Sequence, residues 1–317
     1  MQKRKLGNTD LEVSPIAFGG NVFGWTLDEE KSFDIIDAFV GAGFNFIDTA
    51  NNYPYWVKGN DGGESERTIG NWLKKRRIRD KVVIATKVGG RGKNQSKTNA
   101  SKKHILKEVD NSLMRLKTDY IDLYQLHYDD EITPVEETLS AFQDLIQEGK
   151  IRWIGVSNIS PGRLVESLEA AEKFNLPKYQ TLQPEYNLCE REKYETLYEP
   201  IVLKNDLGVM NYYALASGFL TGKYRTLEDL QKSQRGKDVE KYMNEWGMRI
   251  LDALAEISTE YKTTSAVVAL AWLLRRPSIC SPIASATSLS QLDSLIQAPQ
   301  LDLNSSAVMR LNEASEY

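Results

Sequence analysis

Four side chains with acid–base chemistry stand at or just beyond the ends of short apolar stretches. Asp48, Lys87 and His127 each end such a stretch, and Tyr53 lies five residues beyond Asp48. Free tyrosine has a pKa of about 10, too high for efficient proton transfer at neutral pH, and a nearby ammonium would lower that pKa. Lys87 can supply the ammonium if Asp48 holds it, and His127 can hydrogen-bond the oxygen that receives the proton. The set suits protonation of a carbonyl oxygen while a bound donor delivers hydride to the carbonyl carbon.

Taken singly, each of these residues also has a structural explanation. Asp48 and Lys87 could form a buried ion pair, Tyr53 could serve in loop packing, and His127 could be a core histidine with satisfied hydrogen bonds. The functional interpretation depends on convergence, because all four residues fall at one end of the sheet that the sequence predicts.

The apolar stretches predict an α/β protein with the (β/α)8 architecture of a TIM barrel. Short apolar runs separated by helical patterns indicate parallel strands with crossover helices, and the active site of such a barrel lies at the C-terminal ends of the strands. We expect one domain over residues 1–317, with an N-terminal β-hairpin at 2–13 and additional C-terminal helices. The predicted barrel strands are 15–20, 44–48, 81–87, 120–126, 150–156, 179–183, 207–212 and 278–283.

Local signals give three further expectations. Thr133-Pro-Val-Glu136 predicts a capping box with proline at the first helical position. Residues 214–240 lack steady periodicity, which indicates a long loop. The polar and aromatic loop Asn51–Gly63 exceeds the roughly two to six residues of ordinary βα loops. We therefore interpret this loop, with Trp56, as a candidate lid.

Composition excludes several classes of partner. The chain of 317 residues is 41% hydrophobic and 26% charged, with a formal net charge of −4, which argues against a nucleic-acid surface. The longest apolar run, Ala266–Leu274, is too short to span a bilayer, and no signal peptide is evident at the start. Cys189 and Cys280 are far apart and form no CxxC pattern. This usage predicts a cytoplasmic protein without structural disulfides.

Several motifs, taken in order, resemble those of the aldo-keto reductases, in particular the bacterial type. They are Phe46-Ile-Asp-Thr-Ala50 with Tyr53, Gly63-Glu-Ser-Glu66, Thr86-Lys87, Leu126-His127, Ile154-Gly-Val-Ser-Asn158, Gln183-Pro-Glu-Tyr-Asn187 and Leu215-Ala-Ser-Gly-Phe-Leu-Thr-Gly-Lys-Tyr224. The resemblance runs from about Arg4 to about Leu311, nearly the whole chain.

The resemblance implies a role for each residue of the site. Tyr53 would be the general acid, Asp48 and Lys87 would tune it, and His127 would orient the substrate carbonyl. Ser157, Asn158 and Gln183 would hydrogen-bond the nicotinamide carboxamide, and Tyr212 would stack on the nicotinamide ring. Residues 215–223 would wrap the pyrophosphate. The implied cofactor contacts are Gly20, Asn21, Asp48, Ser157, Asn158, Gln183, Tyr212, Leu215, Ser217, Gly218, Leu220, Gly222, Lys223, Ala286, Thr287, Ser288 and Gln291.

The segment that would bind adenosine departs from the family pattern. Ser285 stands in place of a glycine, and Ser294-Leu295 replaces Glu-Asn. Members that grip the 2′-phosphate strongly often carry lysine or arginine where this chain has neutral Thr287 and Gln291. We expect NADP(H) rather than NAD(H) as the cofactor, with Arg235 as a further candidate contact.

The expected substrate is a small carbonyl compound. Aromatic side chains near the strand ends predict an apolar pocket beside a polar cluster, which fits aldehydes or ketones of modest size. The candidates for the pocket are Phe23, Trp25, Tyr55, Trp56, Tyr128 and Tyr213. No metal site is expected, because His104 and His127 fall on different elements without ligand spacing. The resemblance suggests a monomer.

Two other classes of function compete with carbonyl reduction. The chain could be a cofactor-binding sensor or interaction subunit with slow turnover, and oxidation of the cofactor by a reactive aldehyde would separate the two. Lys87 at a strand end could instead form a Schiff base in a lyase. An Asp48 partner would keep that lysine protonated, which weighs against the lyase.

Overall fold

The architecture comes from a computed structural model that describes residues 2–93 and 95–317. An antiparallel hairpin of β1 (Arg4–Lys5) and β2 (Glu12–Val13) precedes a parallel sheet. The sheet order is β10-β3-β4-β5-β6-β7-β8-β9, so neighbours in the chain are neighbours in the sheet apart from the last strand. The parallel strands are β3 (Ala17–Gly19), β4 (Phe46–Asp48), β5 (Val83–Val88), β6 (Ile121–Leu126), β7 (Ile151–Ser157), β8 (Thr181–Gln183), β9 (Gly208–Val209) and β10 (Ile283–Ala284).

The last strand, β10, closes the sheet into a barrel between β3 and β9. β10 pairs with β3, and the residues just before it reach β9, where Cys280 N donates to Val209 O at 2.8 Å. Ile283 N then donates to Asn211 O at 2.9 Å. The (β/α)8 barrel predicted from the sequence is thereby confirmed. The eighth strand begins later than predicted, because Pro282 has no N–H to add to the ladder.

The hairpin seals the N-terminal end of the barrel. Leu6, Leu11 and Val13 are buried in one cluster with residues from the barrel interior, among them Phe46 and Leu123. Gly7 has a φ of +58°, and a Cβ there would lie 2.3 Å from the carbonyl oxygen of Gln180, just ahead of β8. The hairpin is confirmed, and it leaves the opposite, C-terminal end of the barrel open.

Amphipathic helices surround the sheet. In α1, Phe33, Ile36 and Phe39 recur at helical spacing and are buried, and the Asp28 side chain accepts from Lys31 N at 2.9 Å to cap the start. Within the described residues, no helix is both long enough and apolar enough to cross a membrane. The helices are α1 (Glu29–Gly41), α2 (Glu64–Arg76), α3 (Lys102–Leu116), α4 (Val135–Gln147), α5 (Pro161–Phe174), α6 (Glu199–Asn205), α7 (Gly236–Val239), α8 (Glu245–Glu260), α9 (Ser265–Arg275), α10 (Leu289–Gln297) and α11 (Ser305–Ala314).

Two local predictions are wrong. The capping box at 133–136 does not form, because the Thr133 hydroxyl donates to Asp130 Oδ2 at 2.8 Å and Pro134 itself occupies the N-cap position of α4. Residues 214–240 are not a plain loop, since they contain α7 and the 3-10 helices Ala216–Thr221 and Leu227–Lys232. Short helices of this length leave no 3.6-residue period for a sequence reading to detect.

Two helical glycines give a matched test of the packing between α2 and α3. A Cβ at Gly70 would lie 2.1 Å from the backbone oxygen of Arg115, whereas one at Gly41 would meet nothing within 4 Å. We expect Gly70→Ala to lower the free energy of unfolding by about 1–3 kcal/mol through overpacking. Gly41→Ala should leave it unchanged or raise it by about 0.5–1 kcal/mol. Thermal unfolding of both variants checks this, and equal melting temperatures would contradict it.

Candidate active site

A buried ion pair lies at the C-terminal ends of β4 and β5. Lys87 Nζ donates to Asp48 Oδ2 at 2.6 Å and to the backbone oxygen of Thr49 at 2.8 Å. Lys87 is fully buried and Asp48 is 3% exposed. Burial lowers the pKa of Lys87, and the Asp48 carboxylate opposes that shift. The pair therefore places two opposite charges at the floor of the open end of the barrel, where water does not reach.

Two glutamines hold the second oxygen of Asp48. Its Oδ1 accepts from Gln125 Nε2 at 3.2 Å and from Gln183 Nε2 at 3.0 Å. Gln183 was predicted as part of the site, but Gln125 was not. The signal for Gln125 was available, because it lies two residues before His127 and alternate residues of a strand face the same side. Both amides keep Asp48 oriented toward Lys87.

Tyr53 reaches the pair from the loop between β4 and α2. Its backbone oxygen accepts from Gly63 N at 3.0 Å and from Ser65 N at 3.2 Å, which ties the loop to the start of α2. The Lys87 ammonium lies 5.1 Å from the centroid of the Tyr53 ring, and the His127 ring lies 5.6 Å from it. All four predicted catalytic residues are thus brought together at one end of the barrel.

The expected depression of the Tyr53 pKa is wrong for this structure. Burial of the phenol raises its pKa well above 10, and the Asp48 carboxylate adds to the rise. The physical reason is burial, which disfavours the charged phenolate, while the Asp48 carboxylate partly offsets the Lys87 ammonium that was expected to act on the phenol. Tyr53 therefore stays protonated throughout the neutral range, the form that a proton donor requires.

His127 is a buried, neutral imidazole. Its backbone N donates to Val88 O at 2.7 Å, and Nδ1 has no hydrogen-bond partner among the described residues. Burial lowers the pKa of His127 well below 6.5, and the Lys87 charge lowers it further. A neutral imidazole can donate one hydrogen bond and accept another.

A second buried charge pair lies behind the strand that carries Lys87. Glu66 of α2 is fully buried, accepts from the Thr86 hydroxyl at 2.6 Å and pairs with Arg115 of α3 at 2.6 Å. Thr86 precedes Lys87 on β5, so this network anchors the strand end against both helices. Glu66 ends the motif Gly63-Glu-Ser-Glu66, but the sequence predicted no role for it.

The residues predicted to hold a nicotinamide carboxamide lie side by side. Ser157 Oγ donates to the backbone oxygen of Gln183 at 2.8 Å, and Tyr212 Oη donates to Asn158 Oδ1 at 3.1 Å. Asn158 Nδ2 donates to the His127 backbone oxygen at 2.9 Å, which joins this group to the catalytic cluster. Amide and hydroxyl groups in this arrangement offer the acceptors and donors that a carboxamide needs.

The segment after Tyr213 forms a tight turn of backbone. Ser217 and Gly218 have φ values of 56° and 94°, and Gly222 has a φ of 81°. A Cβ at Gly218 would lie 3.3 Å from Lys223 Nζ, so the ammonium lies over this turn. Leu220 is fully buried and Leu215 is half-buried. The turn and its lysine suit a pyrophosphate.

The segment predicted to bind adenosine starts at the end of β10. Ser285 Oγ donates to Gly19 O at 2.7 Å and to Asn21 Oδ1 at 2.9 Å, which ties it to the residues after β3. Thr287 N donates to Gln291 Oε1 at 2.9 Å, and the Ser288 hydroxyl accepts from Gln291 N at the start of α10. Neighbouring Ala286 is buried. The backbone oxygen of Gly20 accepts a hydrogen bond from the Ser65 hydroxyl at 2.7 Å.

Five of the six predicted pocket aromatics surround the catalytic cluster. Trp56 contacts Trp25, Tyr53 and Tyr55, with ring centroids 5.7, 5.5 and 5.6 Å apart. Two others adjoin the site, with Tyr128 4.8 Å from the His127 ring and Tyr213 5.2 Å from the Tyr212 ring. Phe23 is the exception, because it is fully buried and stacks on Phe18 in the core.

Two loop segments meet above these aromatics. The guanidinium of Arg235 lies 5.1 Å from the Trp25 ring centroid, so the segment after β9 contacts the segment after β3. Asn60 Nδ2 donates to Gly24 O at 3.0 Å, which joins the 51–63 loop to the same place. The role of that loop as a lid, and of Arg235 as a cofactor contact, remain predictions.

The fold and this site define a (β/α)8-barrel enzyme with an acid–base cluster at the catalytic end of the barrel. Among the described residues, no group of three or more His, Cys, Asp or Glu side chains could hold a metal ion. A profile described as "Aldo/keto reductase family" matches residues 15–316.

Named relatives cover the chain almost completely. "Aldo-keto reductase YhdN" of Bacillus subtilis (strain 168) is 34% identical over 329 residues, 100% of this chain and 94% of its own. "L-glyceraldehyde 3-phosphate reductase" of Escherichia coli O157:H7 is 30% identical over 94% of this chain and 87% of its own. "Probable voltage-gated potassium channel subunit beta" of Arabidopsis thaliana is 33% identical over 94% of this chain and 91% of its own. The chain belongs to the aldo/keto reductase family, whose members are oxidoreductases that use nicotinamide cofactors.

His127 gives a direct test of the site electrostatics, because the sequence contains only two histidines. Its folded pKa lies below the ordinary 6.5, so the unfolded chain binds the proton first as pH falls. Stability from this group is therefore present above pH about 6.5 and lost below it, at about 1.4 kcal/mol per pH unit. We expect an NMR titration to show that His127 stays neutral below pH 6.5, where a free imidazole is mostly charged, and His127→Gln to reduce the loss of melting temperature at acid pH. His104→Gln assigns the signals, and ordinary titration of His127 near pH 6.5 would contradict the geometry.

Proposed function

We propose that this protein reduces aldehydes or ketones to alcohols with NAD(P)H, with Tyr53 as the proton donor. The observation that carries the proposal is the buried Asp48–Lys87 pair, 2.6 Å apart, with the phenol of Tyr53 beside it and His127 opposite. Family membership supports an oxidoreductase, and this cluster supports the specific chemistry at a carbonyl.

The cofactor would lie along the open end of the barrel. Ser157, Asn158 and Gln183 would hold the carboxamide, and Tyr212 would stack on the nicotinamide ring. Residues 215–223 would take the pyrophosphate, and the start of α10 would take the adenosine. When bound, the cofactor supplies hydride to the carbonyl carbon.

The protein side of the reaction is transfer of a proton. Tyr53 donates its hydroxyl proton to the carbonyl oxygen, and His127 offers a hydrogen bond to that oxygen. The resulting phenolate is stabilised by the Lys87 ammonium, 5.1 Å from the ring centroid in this structure. Because the pKa of Tyr53 is raised, the phenol is fully protonated before the reaction and a strong developing negative charge is needed to take its proton.

Substitution of the donor tests this assignment. We expect Tyr53→Phe to lower kcat for a reactive aldehyde by roughly 10²–10⁴-fold, since general acid catalysis contributes about that much. Cofactor affinity, measured by fluorescence quenching, should stay within about twofold, because the phenol is not a cofactor contact. Tyr317→Phe removes a hydroxyl from the exposed C-terminal residue and serves as the control. Near-normal turnover by Tyr53→Phe would overturn the assignment.

We also propose NADP(H) as the preferred cofactor, despite the lack of a charged residue at Thr287 and Gln291. The start of α10, with backbone N–H groups and the hydroxyls of Ser288 and Ser290, offers neutral donors to a 2′-phosphate. Initial rates with NADPH and NADH side by side test this preference, and faster turnover with NADH would overturn it.

Addition of one charge at Gln291 should sharpen that preference. We expect Gln291→Arg to strengthen NADPH binding by about tenfold, the value of one charge-assisted hydrogen bond, and to leave NADH binding within about twofold. Gln297→Arg places the same charge at the far end of α10 and is the matched control. Equal effects on both cofactors would show that the 2′-phosphate does not reach this helix.

A second function is favoured by one relative, which is named as a probable potassium channel β subunit and is 33% identical. The chain would then bind NADPH tightly, turn over slowly and act as a sensor or subunit. Tight binding without oxidation of NADPH by reactive aldehydes would favour this alternative.

For the reductase, we propose a single-domain cytoplasmic monomer that takes carbonyl compounds of modest size.

A further inference from the structure

The amide of Gln125 lies at the centre of the hydrogen bonds beneath the site. Its Nε2 is 3.2 Å from Asp48 Oδ1, and its Oε1 is 3.3 Å from Gln183 Nε2. Gln183 Nε2 is also 3.0 Å from Asp48 Oδ1. Gln125 is fully buried, and Gln183 is 3% exposed. The three side chains form a closed triangle in which each contacts the other two.

The chemistry of the three groups fixes which atom faces which. An ionised carboxylate only accepts hydrogen bonds, so both glutamines must turn Nε2 toward Asp48. Gln125 then presents Oε1 to Gln183, and this oxygen accepts the second N–H of Gln183. Both N–H groups of Gln183 are used within the triangle, and its carbonyl oxygen is the polar atom left over.

That carbonyl oxygen is open to the pocket. Gln183 Oε1 accepts no hydrogen bond from the described part of the chain. The atom is nevertheless not fully buried, so it can accept a hydrogen bond from a ligand. Ser157 Oγ, which could have competed for it, donates to the backbone oxygen of Gln183 instead. The pocket therefore presents an acceptor at this position.

The sheet is shaped to hold Gln125 in place. Gln125 pairs in register with Lys87 on one side and with Gly155 on the other. A Cβ at Gly155 would lie 3.2 Å from Gln125 Cγ and 1.9 Å from Thr181 Oγ1. Only a residue without a side chain leaves space for both neighbours, so β7 supports the Gln125 rotamer seen here.

We infer that Gln125 is a positioning residue with two linked tasks. It holds Asp48 against Lys87 through its N–H, and through its oxygen it fixes the amide of Gln183 with the acceptor turned into the pocket. The inference rests on the proposed function, because the group that donates to this acceptor is the N–H of a nicotinamide carboxamide. Gln125 itself does not contact the cofactor or the substrate.

Binding of two cofactors tests the second task without turnover. NADPH carries a carboxamide, and its 3-acetylpyridine analogue carries an acetyl group that cannot donate a hydrogen bond. We expect wild-type protein to bind NADPH roughly 2- to 10-fold more tightly than the analogue, the value of one neutral hydrogen bond. In Gln125→Met, which has a similar length and no amide, the ratio of the two Kd values should fall toward one. In Gln125→Glu the ratio should persist, because a carboxylate oxygen still accepts from Gln183.

The pH dependence of turnover tests the first task. Gln125→Glu brings two carboxylates to about the 3.2 Å separation of the native hydrogen bond, where like charges favour a shared proton. Its kcat should be highest at low pH and fall as that proton is lost. Gln125→Met should show no such limb and a kcat lowered by roughly 10- to 100-fold, the value of one hydrogen bond to a charged group. If Gln125 had only a packing role, ionisation of the introduced carboxyl group would not alter kcat.

The controls separate the possible failures. Gln143→Met alters a glutamine on α4 whose Nε2 donates to Asn175 O at the surface, and it should match wild type in both assays. Thermal unfolding shows whether each variant folds, and the pH profile of Gln125→Glu still tests the inference if Gln125→Met does not fold. A wild-type Kd ratio near one, or a Gln125→Met variant with wild-type ratio and kcat, would overturn the inference. Carboxamide preference without any carbonyl reduction would overturn the proposed function and leave the positioning of Gln183 supported.

Discussion

The buried pair of Asp48 and Lys87 is the interaction on which the rest of the site depends. Removal of each charge from water costs several kcal/mol, and attraction across 2.6 Å offsets this only when the remaining hydrogen bonds are satisfied. Here the backbone oxygen of Thr49 accepts a second hydrogen bond from the Lys87 ammonium. Two glutamine amides donate hydrogen bonds to the other carboxylate oxygen of Asp48. Two opposite charges are therefore kept inside the barrel by the two glutamines, by the register of the strands and by the hydrogen bond to Thr49.

The surroundings of the pair also determine the protonation states of Tyr53 and His127. Burial has the largest effect on the phenol of Tyr53 and on the imidazole of His127, and one charge of the pair adds to each shift, Asp48 for the phenol and Lys87 for the imidazole. Burial favours the neutral form of both groups, which raises the pKa of the phenol and lowers the pKa of the imidazole. The proposed proton donor, Tyr53, and the neutral imidazole of His127 are therefore both in the required form over the neutral pH range, and neither depends on a finely balanced pKa.

The sequence predicted the parts of the site that follow from strand periodicity. Asp48, Lys87, Ser157 and Gln183 each end an apolar run, and parallel strands bring such ends to one edge, as β4, β5, β7 and β8 do. The partners of these residues were harder to predict, because a partner depends on side-chain direction and register. Gln125 was missed although it shares its strand face with His127.

Other misses have different physical causes. Phe23 was assigned to the pocket because an aromatic residue near a strand end suits either surface, and only packing against Phe18 shows that it belongs to the core. The lowered pKa expected for Tyr53 took account of the Lys87 charge but not of burial, which is the largest cause of the rise, or of the Asp48 carboxylate, which adds to it. The Thr133 hydroxyl donates to the nearby Asp130 carboxylate and does not accept from a backbone N–H at the helix start.

Tyr53 is the catalytic candidate farthest from a strand, since Asp48 and Lys87 lie on strands and His127 directly follows β6. Its position depends on the hydrogen bonds of its backbone oxygen to Gly63 and Ser65, at the junction of the loop with α2. Trp56, on the same loop, contacts both Tyr53 and Trp25 on the facing segment. The proposed proton donor and one of its aromatic neighbours are therefore held by one loop, while the Asp48–Lys87 pair is held by the barrel. Changes in the aromatic wall can alter the substrates that fit, provided that they leave the anchor of this loop on α2 intact.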